Sequence, residues 1–202
     1  MSFVSSLETW ITKPEQSDDG WAEIKPFLFL KLTTSDGVEG WGEAFTLSTR
    51  EKGIVEIIHN LMTSISSLRN LSPEIFHKKV SQIADGHRGI DFSAATSAIE
   101  MSLWDIKAKR AKQSVCQLIG GSTSSIPVYA SSMQREITPE AEAQRFLKLK
   151  EENGYFAFKF RIGKECGHDL DQWPGRTESI IKEVRKELGD EAILLVDANS
   201  CY

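Results

Sequence analysis

The stretch Tyr155–Asp197, YFAFKFRIGKECGHDLDQWPGRTESIIKEVRKELGDEAILLVD, decides the fold. Its first eight residues, Tyr155 to Ile162, are rich in β-formers and read as a strand. A helix is predicted from Pro174 to Leu188, with Gly189 just past its end. Ala192 to Asp197 is a short apolar run of the kind that lies buried in a parallel sheet. Working outward toward the N-terminus, Thr138-Pro139-Glu140 opens a further helix that closes at Gly154, and Pro127 to Ser131 (PVYAS) supplies a strand before it. From Ile126 onward the order is therefore β-α-β-α-β, the start of a parallel sheet or barrel.

Within Tyr155–Ile162, Phe156, Phe158, Phe160 and Ile162 share the face suited to lie beneath helices, while Tyr155, Ala157, Lys159 and Arg161 share the other. The two cations fall near the C-terminal end of the strand, where parallel α/β folds place their sites. The bland alternative is that both face solvent on a half-exposed strand. Asp197 ends the third strand of this half and Asn199 follows two residues on. A carboxylate there suits a hard cation such as Mg²⁺, although many such aspartates only cap a following turn. Adjacent parallel strands would aim Lys159, Arg161 and Asp197 to one place. No GxGxxG follows a strand, and neither GxxxxGK[ST] nor GxSxG occurs, which argues against nucleotide binding and a serine nucleophile elbow. Of the histidines, His59 and His77 sit in helical patterns, His87 in the DGHRG loop, and His168 in a loop after the second strand, where solvent exposure is expected.

The N-terminal half has a different grammar. Phe27–Thr33 and Val38–Phe45 flank Ser35-Asp36-Gly37, a strong hairpin signal, and Phe3–Ile11 is a candidate third strand. Helical spacing follows in Ile54, Ile57, Ile58, Leu61, Met62, Ile65 and Leu68. Ser72-Pro73 opens a second helix with the stripe Ile75, Phe76, Val80 and Ile83. A third helix from about Phe92 to Lys112 is rich in small residues suited to close packing, and Gly120-Gly121 ends the unit. The predicted division is an α+β domain over residues 1–125 and an α/β domain over 126–202, the latter holding the first three strands of a truncated barrel. Three parallel strands with a bare edge make a poor stopping point, so the chain reads as a fragment of a longer parent.

A net charge of −5 gives no reason to expect nucleic acid or an anionic membrane as partner. No apolar run reaches the roughly 20 residues that cross a bilayer, and the opening Met-Ser-Phe-Val lacks a signal-peptide pattern. Cys116, Cys166 and Cys201 form neither a disulfide framework nor a CxxC site, which points to a reducing cytoplasm.

Several of these segments resemble motifs of the mandelate racemase and muconate lactonizing enzymes of the enolase superfamily. Gly40-Trp41-Gly42-Glu43-Ala44 is similar to the GxGEA signature of that family's capping domain. Ala98 to Lys109 (AIEMSLWDIKAK) resembles its A-x-[DE]-x-A-L-W-D-x-x-[AG]-K helix, with Ser102 in place of alanine, and Leu118-Ile119-Gly120-Gly121 resembles the LLGG that follows. Pro127–Ser131 resembles the first barrel strand. Lys159-Phe160-Arg161 and Asp197-Ala198-Asn199 stand where the family has K-x-K and D-x-N. The resemblance implies Mg²⁺-dependent abstraction of a proton beside a carboxylate, with Asp197 as the first of three acidic metal ligands and Asn199 contacting substrate or ordering the metal shell. It implies a small carboxylic acid as partner, a homo-oligomeric parent, and a capping domain over the barrel mouth. The loops Thr12–Trp21 and Thr46–Arg50 are polar, which suits selection of a polyhydroxylated acid but equally fits ordinary hydrophilic loops.

Arg161 is a departure from the motif, because arginine stays protonated and is a poor base. It is expected to bind a carboxylate or the enediolate and to lower the pKa of Lys159, leaving the main proton chemistry to a later histidine–acid pair. That pattern favours a sugar-acid dehydratase over a racemase, epimerase or cycloisomerase of the same family. The competing expectation is a catalytically inactive fragment that at most binds partners.

Overall fold

In the computed structural model the described residues are 3–13, 26–47, 49–65, 68, 71–84, 89–122 and 125–202. Residue contacts divide the chain into two compact units, Met1–Ser124 and Ser125–Tyr202.

The first unit is an antiparallel sheet with helices on one face. Strands β1 (Val4–Thr12), β2 (Phe27–Thr34) and β3 (Glu39–Ala44) lie in that order. The predicted hairpin joins β2 to β3, and Gly37 supplies the left-handed φ of 82° that its turn requires. Period-two alternation puts Leu28, Leu30 and Leu32 of β2 wholly inside. Helices α1 (Glu51–Ile65), α2 (Pro73–Ala84) and α3 (Ile90–Ala111) complete the unit. The Ser72 hydroxyl accepts the Ile75 N–H at 3.3 Å and so caps α2. The α2 stripe differs from the expected one: Phe76 and Val80 are buried, but Ile75 and Ile83 are exposed, and Pro73 and Ala84 take the inward positions instead. A short helix, α4 (Val115–Leu118), follows α3. Ser114 and Gln117 close it with a reciprocal capping box, a pattern too brief to show as periodicity.

Packing of β3 on α3 is backbone against backbone. A Cβ placed on Gly40 would stand 2.1 Å from the Ser102 carbonyl oxygen, and one on Gly42 would stand 2.0 Å from that of Ala98. The Ser102 hydroxyl, wholly buried, donates to the Ala98 carbonyl at 2.9 Å and is thereby satisfied. The outer edge of β3 is tied to the same helix: Trp41 N–H donates to Asp105 at 2.9 Å, and Lys109 donates to the Glu39 carbonyl at 2.8 Å. The Gly-Trp-Gly and Trp-Asp segments are thus two halves of one contact.

The second unit holds β4 (Ala130–Ser131), α5 (Pro139–Asn153), β5 (Ala157–Arg161), α6 (Arg176–Leu188) and β6 (Ile193–Asp197). The strands form a parallel sheet in the order β4-β5-β6. Thr138 caps α5 by accepting the Ala141 N–H, and Gly154 ends it at φ 72°. Phe146 of α5 packs on Phe158 and Phe160, ring centroids 5.1 and 6.4 Å away. Phe158 and Phe160 are buried as predicted, whereas Phe156 precedes the strand and is 52% exposed. Pro127–Tyr129 form no ladder, and α6 starts at Arg176 because Gly175 takes a left-handed φ of 81°.

Gly42→Ala is expected to cost about 3 kcal/mol or more, because the obstructing atom is backbone and cannot swing aside. Gly53→Ala, inside α1 with open space around it, is expected to gain roughly 0.5–1 kcal/mol. Hydrogen-exchange protection of β2 and α3 measures both; equal protection in the two variants would remove the close-approach account.

Candidate active site

The candidate site is built by register. In the parallel pairing of β5 with β6, Lys159 stands beside Leu195 and Arg161 beside Asp197. Side chains alternate, so Lys159, Arg161 and Asp197 leave the sheet on the face opposite the buried phenylalanines. All three are partly buried.

Lys159 Nζ donates to Asp197 Oδ2 at 3.1 Å. The other carboxylate oxygen, Oδ1, accepts the Asn199 backbone N–H at 3.0 Å. The Lys159 hydrogen bond and charge, with the Asn199 N–H and the Arg161 charge, hold the Asp197 carboxyl below the usual carboxylate range against the opposing effect of burial. Asp197 is therefore ionised at neutral pH. Both readings of Asp197 meet in one geometry: it caps the turn after β6, and it faces the cations. Asn199 sits at φ 47° and Ser200 at φ 58°, successive left-handed residues that turn the chain sharply after the strand. The Asn199 backbone thus serves Asp197 while the residue itself stays exposed.

Lys159 and Arg161 do not merely face solvent. The Lys159 side chain is only 20% exposed, and its ammonium lies over the Tyr129 ring at 5.7 Å from the centroid. Sequence reading missed Tyr129. Its signal was available, since it lies two residues before Ser131, the register partner of Lys159, and so on the same face. The carboxylate that Lys159 touches is that of Asp197. Two arginines, Arg135 and Arg176, were also passed over. Arg176 opens α6, a helix end where the macrodipole disfavours a cation, and that anomaly is its signal.

The remaining candidates lie apart. His168 is exposed, 3.7 Å from Glu165; His59 and His77 are exposed on α1 and α2; His87 lies outside the described residues. Of the loop Thr12–Trp21 only Thr12 and Lys13 are described, and Ser48 is not. Thr46 is buried, and Arg50 pairs with Asp91 at 2.9 Å, which ties both into the first unit. Cys116 and Cys166 are exposed free thiols and Cys201 is a buried one.

The fit to a magnesium ion can be tested on the donor set. Among the described residues no three His, Cys, Asp or Glu side chains gather as a metal site requires. Asp197 offers an ionised carboxylate of a chemistry that suits a hard cation, and it retains lone pairs beyond the two in use. These residues supply one ligand, not a cage.

Comparison with known proteins bears on the whole chain. Residues 4–120 match the family described as "Mandelate racemase / muconate lactonizing enzyme, N-terminal domain". The 3,6-anhydro-alpha-L-galactonate cycloisomerase of Streptomyces coelicolor is 26% identical over 85% of this chain and 46% of its own length. The L-talarate/galactarate dehydratase of Salmonella typhimurium is 29% identical over 85% of this chain and 42% of its own length. The crystal structure of an enolase from Sargasso Sea environmental sequencing superposes with a TM-score of 0.83, at 37% identity over 97% of this chain and 51% of that one. The chain spans about half the length of the proteins it matches.

The Lys159–Asp197 pair has a pH signature. The folded pKa of Asp197 is depressed, so its contribution is fully present above the unfolded value and is lost as pH falls through the folded one. The wild type is expected to exceed Asp197→Asn by about 1 kcal/mol near pH 6, and by less at an acid pH below the ordinary carboxylate range. Urea unfolding followed at both pH values checks it; a gap that does not change with pH would show that the ionised pair contributes nothing.

Proposed function

The chain belongs to the mandelate racemase / muconate lactonizing enzyme family of the enolase superfamily, and from that premise we propose that its parent abstracts a proton beside a carboxylate and dehydrates a sugar acid. The observation that carries this reading is the set Lys159, Arg161 and Asp197, brought to one face at the C-terminal ends of β5 and β6. In this reading residues 1–125 are the capping domain and 126–202 are the first three strands of a (β/α)-barrel. The parallel order β4-β5-β6 with an intervening helix at each step supports it.

Each residue then has a task. Arg161, permanently protonated, holds the substrate carboxylate or the enediolate that forms when the proton leaves. Lys159 pairs with Asp197 and adds positive charge to the site, and the main proton chemistry belongs to a later histidine–acid pair of the parent. Asp197 is the ligand this chain offers to Mg²⁺. When bound beside the carboxylate, the ion offsets the negative charge that builds up in the enediolate. Asn199 keeps Asp197 oriented through its backbone N–H and presents its exposed amide toward substrate. The three free cysteines suit a reducing, cytoplasmic location. No helix among the described residues is long and apolar enough to cross a membrane.

A second reading within the same family is cycloisomerisation, which the Streptomyces coelicolor relative is named for. Both begin with loss of the same proton, and they part at the product: dehydration removes a water, whereas cycloisomerisation leaves the mass unchanged.

The test is a parent protein of the relatives' length incubated with a library of acid sugars, with and without Mg²⁺, and read by product mass. Water loss that requires Mg²⁺ is the expected result, and a product of unchanged mass selects the second reading. Asp197→Asn is expected to lower turnover by about 100-fold or more, since even groups behind a metal ligand cost 10–100-fold. Wild-type turnover in that variant would remove Asp197 from the metal assignment.

A further inference from the structure

The end of β5 presents a problem that no neighbouring strand solves. Arg161 is the last residue of the β5–β6 ladder, and the carbonyls of Arg161, Ile162, Gly163 and Lys164 need donors. Two arginines supply them in series. Arg176 Nη1 donates to the Arg161 carbonyl at 3.0 Å. Arg135 Nη1 lies 3.4, 3.0 and 3.2 Å from the carbonyls of Ile162, Gly163 and Lys164.

Both arginines also grip a second segment. Arg176 Nε and Nη2 each donate to the Ile137 carbonyl at 3.2 Å, on the stretch that follows β4. Arg135 comes from that same stretch, and its Nη1 lies 2.8 Å from the buried Cys201 Sγ, beyond the end of β6. Gly163, at φ 73°, leaves no room on that side: an added Cβ would stand 2.3 Å from the Cys201 Cβ. The segments after β4, β5 and β6 are therefore tied together at the level of the strand ends.

Arg176 is wholly buried and has the Trp173 ring 5.2 Å away. The carboxylates whose charge acts on it, Asp171 and Glu142, are themselves engaged, by Thr177 and Arg145 respectively. A guanidinium carried to zero exposure mainly to meet two carbonyls costs more than it returns as a local hydrogen bond. What it secures is geometry. Arg161 bears one of the candidate functional side chains, and its own carbonyl is the atom that Arg176 holds.

We infer that Arg135 and Arg176 form a carbonyl clamp that positions the C-terminal ends of β5 and β6, and with them Lys159, Arg161 and Asp197. Its catalytic meaning rests on the function proposed above; its mechanical content does not. Neither arginine is a catalytic residue, since each acts through backbone atoms.

Site-resolved labelling of the purified chain tests it, with thiols alkylated by iodoacetamide and amines by a dilute acylating reagent and both read by peptide mass spectrometry. In the wild type Cys201 is expected to react at least about 10-fold more slowly than exposed Cys166, because buried groups label only on local opening. In Arg135→Met, Cys201 labelling is expected to rise about 10-fold and Lys159 acylation about threefold, with Cys116 and Lys109 of the other unit unchanged. Arg135→Lys, which keeps the charge without the planar fork, is expected to show a smaller rise at both sites and serves as the deciding variant if Arg135→Met does not fold. Wild-type labelling of Lys159 in a variant whose Cys201 has opened would reduce Arg135 to a local plug and overturn the positioning role. Wild-type labelling of both residues in Arg135→Lys would overturn it as well. Neither readout is turnover, so an inactive parent would defeat the proposed function and leave these outcomes intact.

Discussion

The parallel register of β5 on β6 is the constraint on which the candidate chemistry depends. Side chains alternate with a period of two, so a slip of one residue would send Asp197 to the face occupied by Phe158 and Phe160. Register is held from the buried side. Phe158 and Phe160 are anchored under Phe146, and Leu194 packs in the same cluster. The Ile162 N–H to Asp197 carbonyl bond then continues the pairing to the last residue of the strand. An apolar cluster on one side of the sheet thus fixes the register of a polar arrangement on the other.

The first unit solves a different problem by a related route. An edge strand must be tied down without exposing its unpaired backbone. Here β3 does so by lacking side chains where it meets α3, which lets Gly40 and Gly42 approach the Ser102 and Ala98 carbonyls directly. Asp105 and Lys109 then reach the N–H of Trp41 and the carbonyl of Glu39. Ser102 shows how a departure from the family pattern is accommodated. A buried hydroxyl in place of alanine would be costly alone, and the i−4 carbonyl satisfies it without disturbing the glycines.

Much of this was legible because it depends on local rules. Hairpin chemistry at Asp36-Gly37, caps at Ser72 and Thr138, and alternation in AFKFR are written in adjacent residues and reappear in the fold. Exposure at Phe156 was not legible, since it depends on a ladder that begins one residue later. The Lys159–Asp197 contact joins residues far apart in the chain, and only the register decides it. The partners of Arg135 were least legible of all. Backbone carbonyls carry no residue-type signature, so a cation that serves them looks like any surface arginine. Only a cation at the start of a helix, as with Arg176, breaks a local rule and so announces another role.

Lys159, Arg161 and Asp197 share one face of the sheet, and the Lys159–Asp197 pair is the contact that links its two strands there. In the proposed function Arg161 meets a carboxylate, and a substrate that becomes more anionic as it reacts gains the most from cations already in place. Securing the strand end through its carbonyls suits that function, because Arg135 and Arg176 hold backbone atoms and leave the side chains of the face to the chemistry.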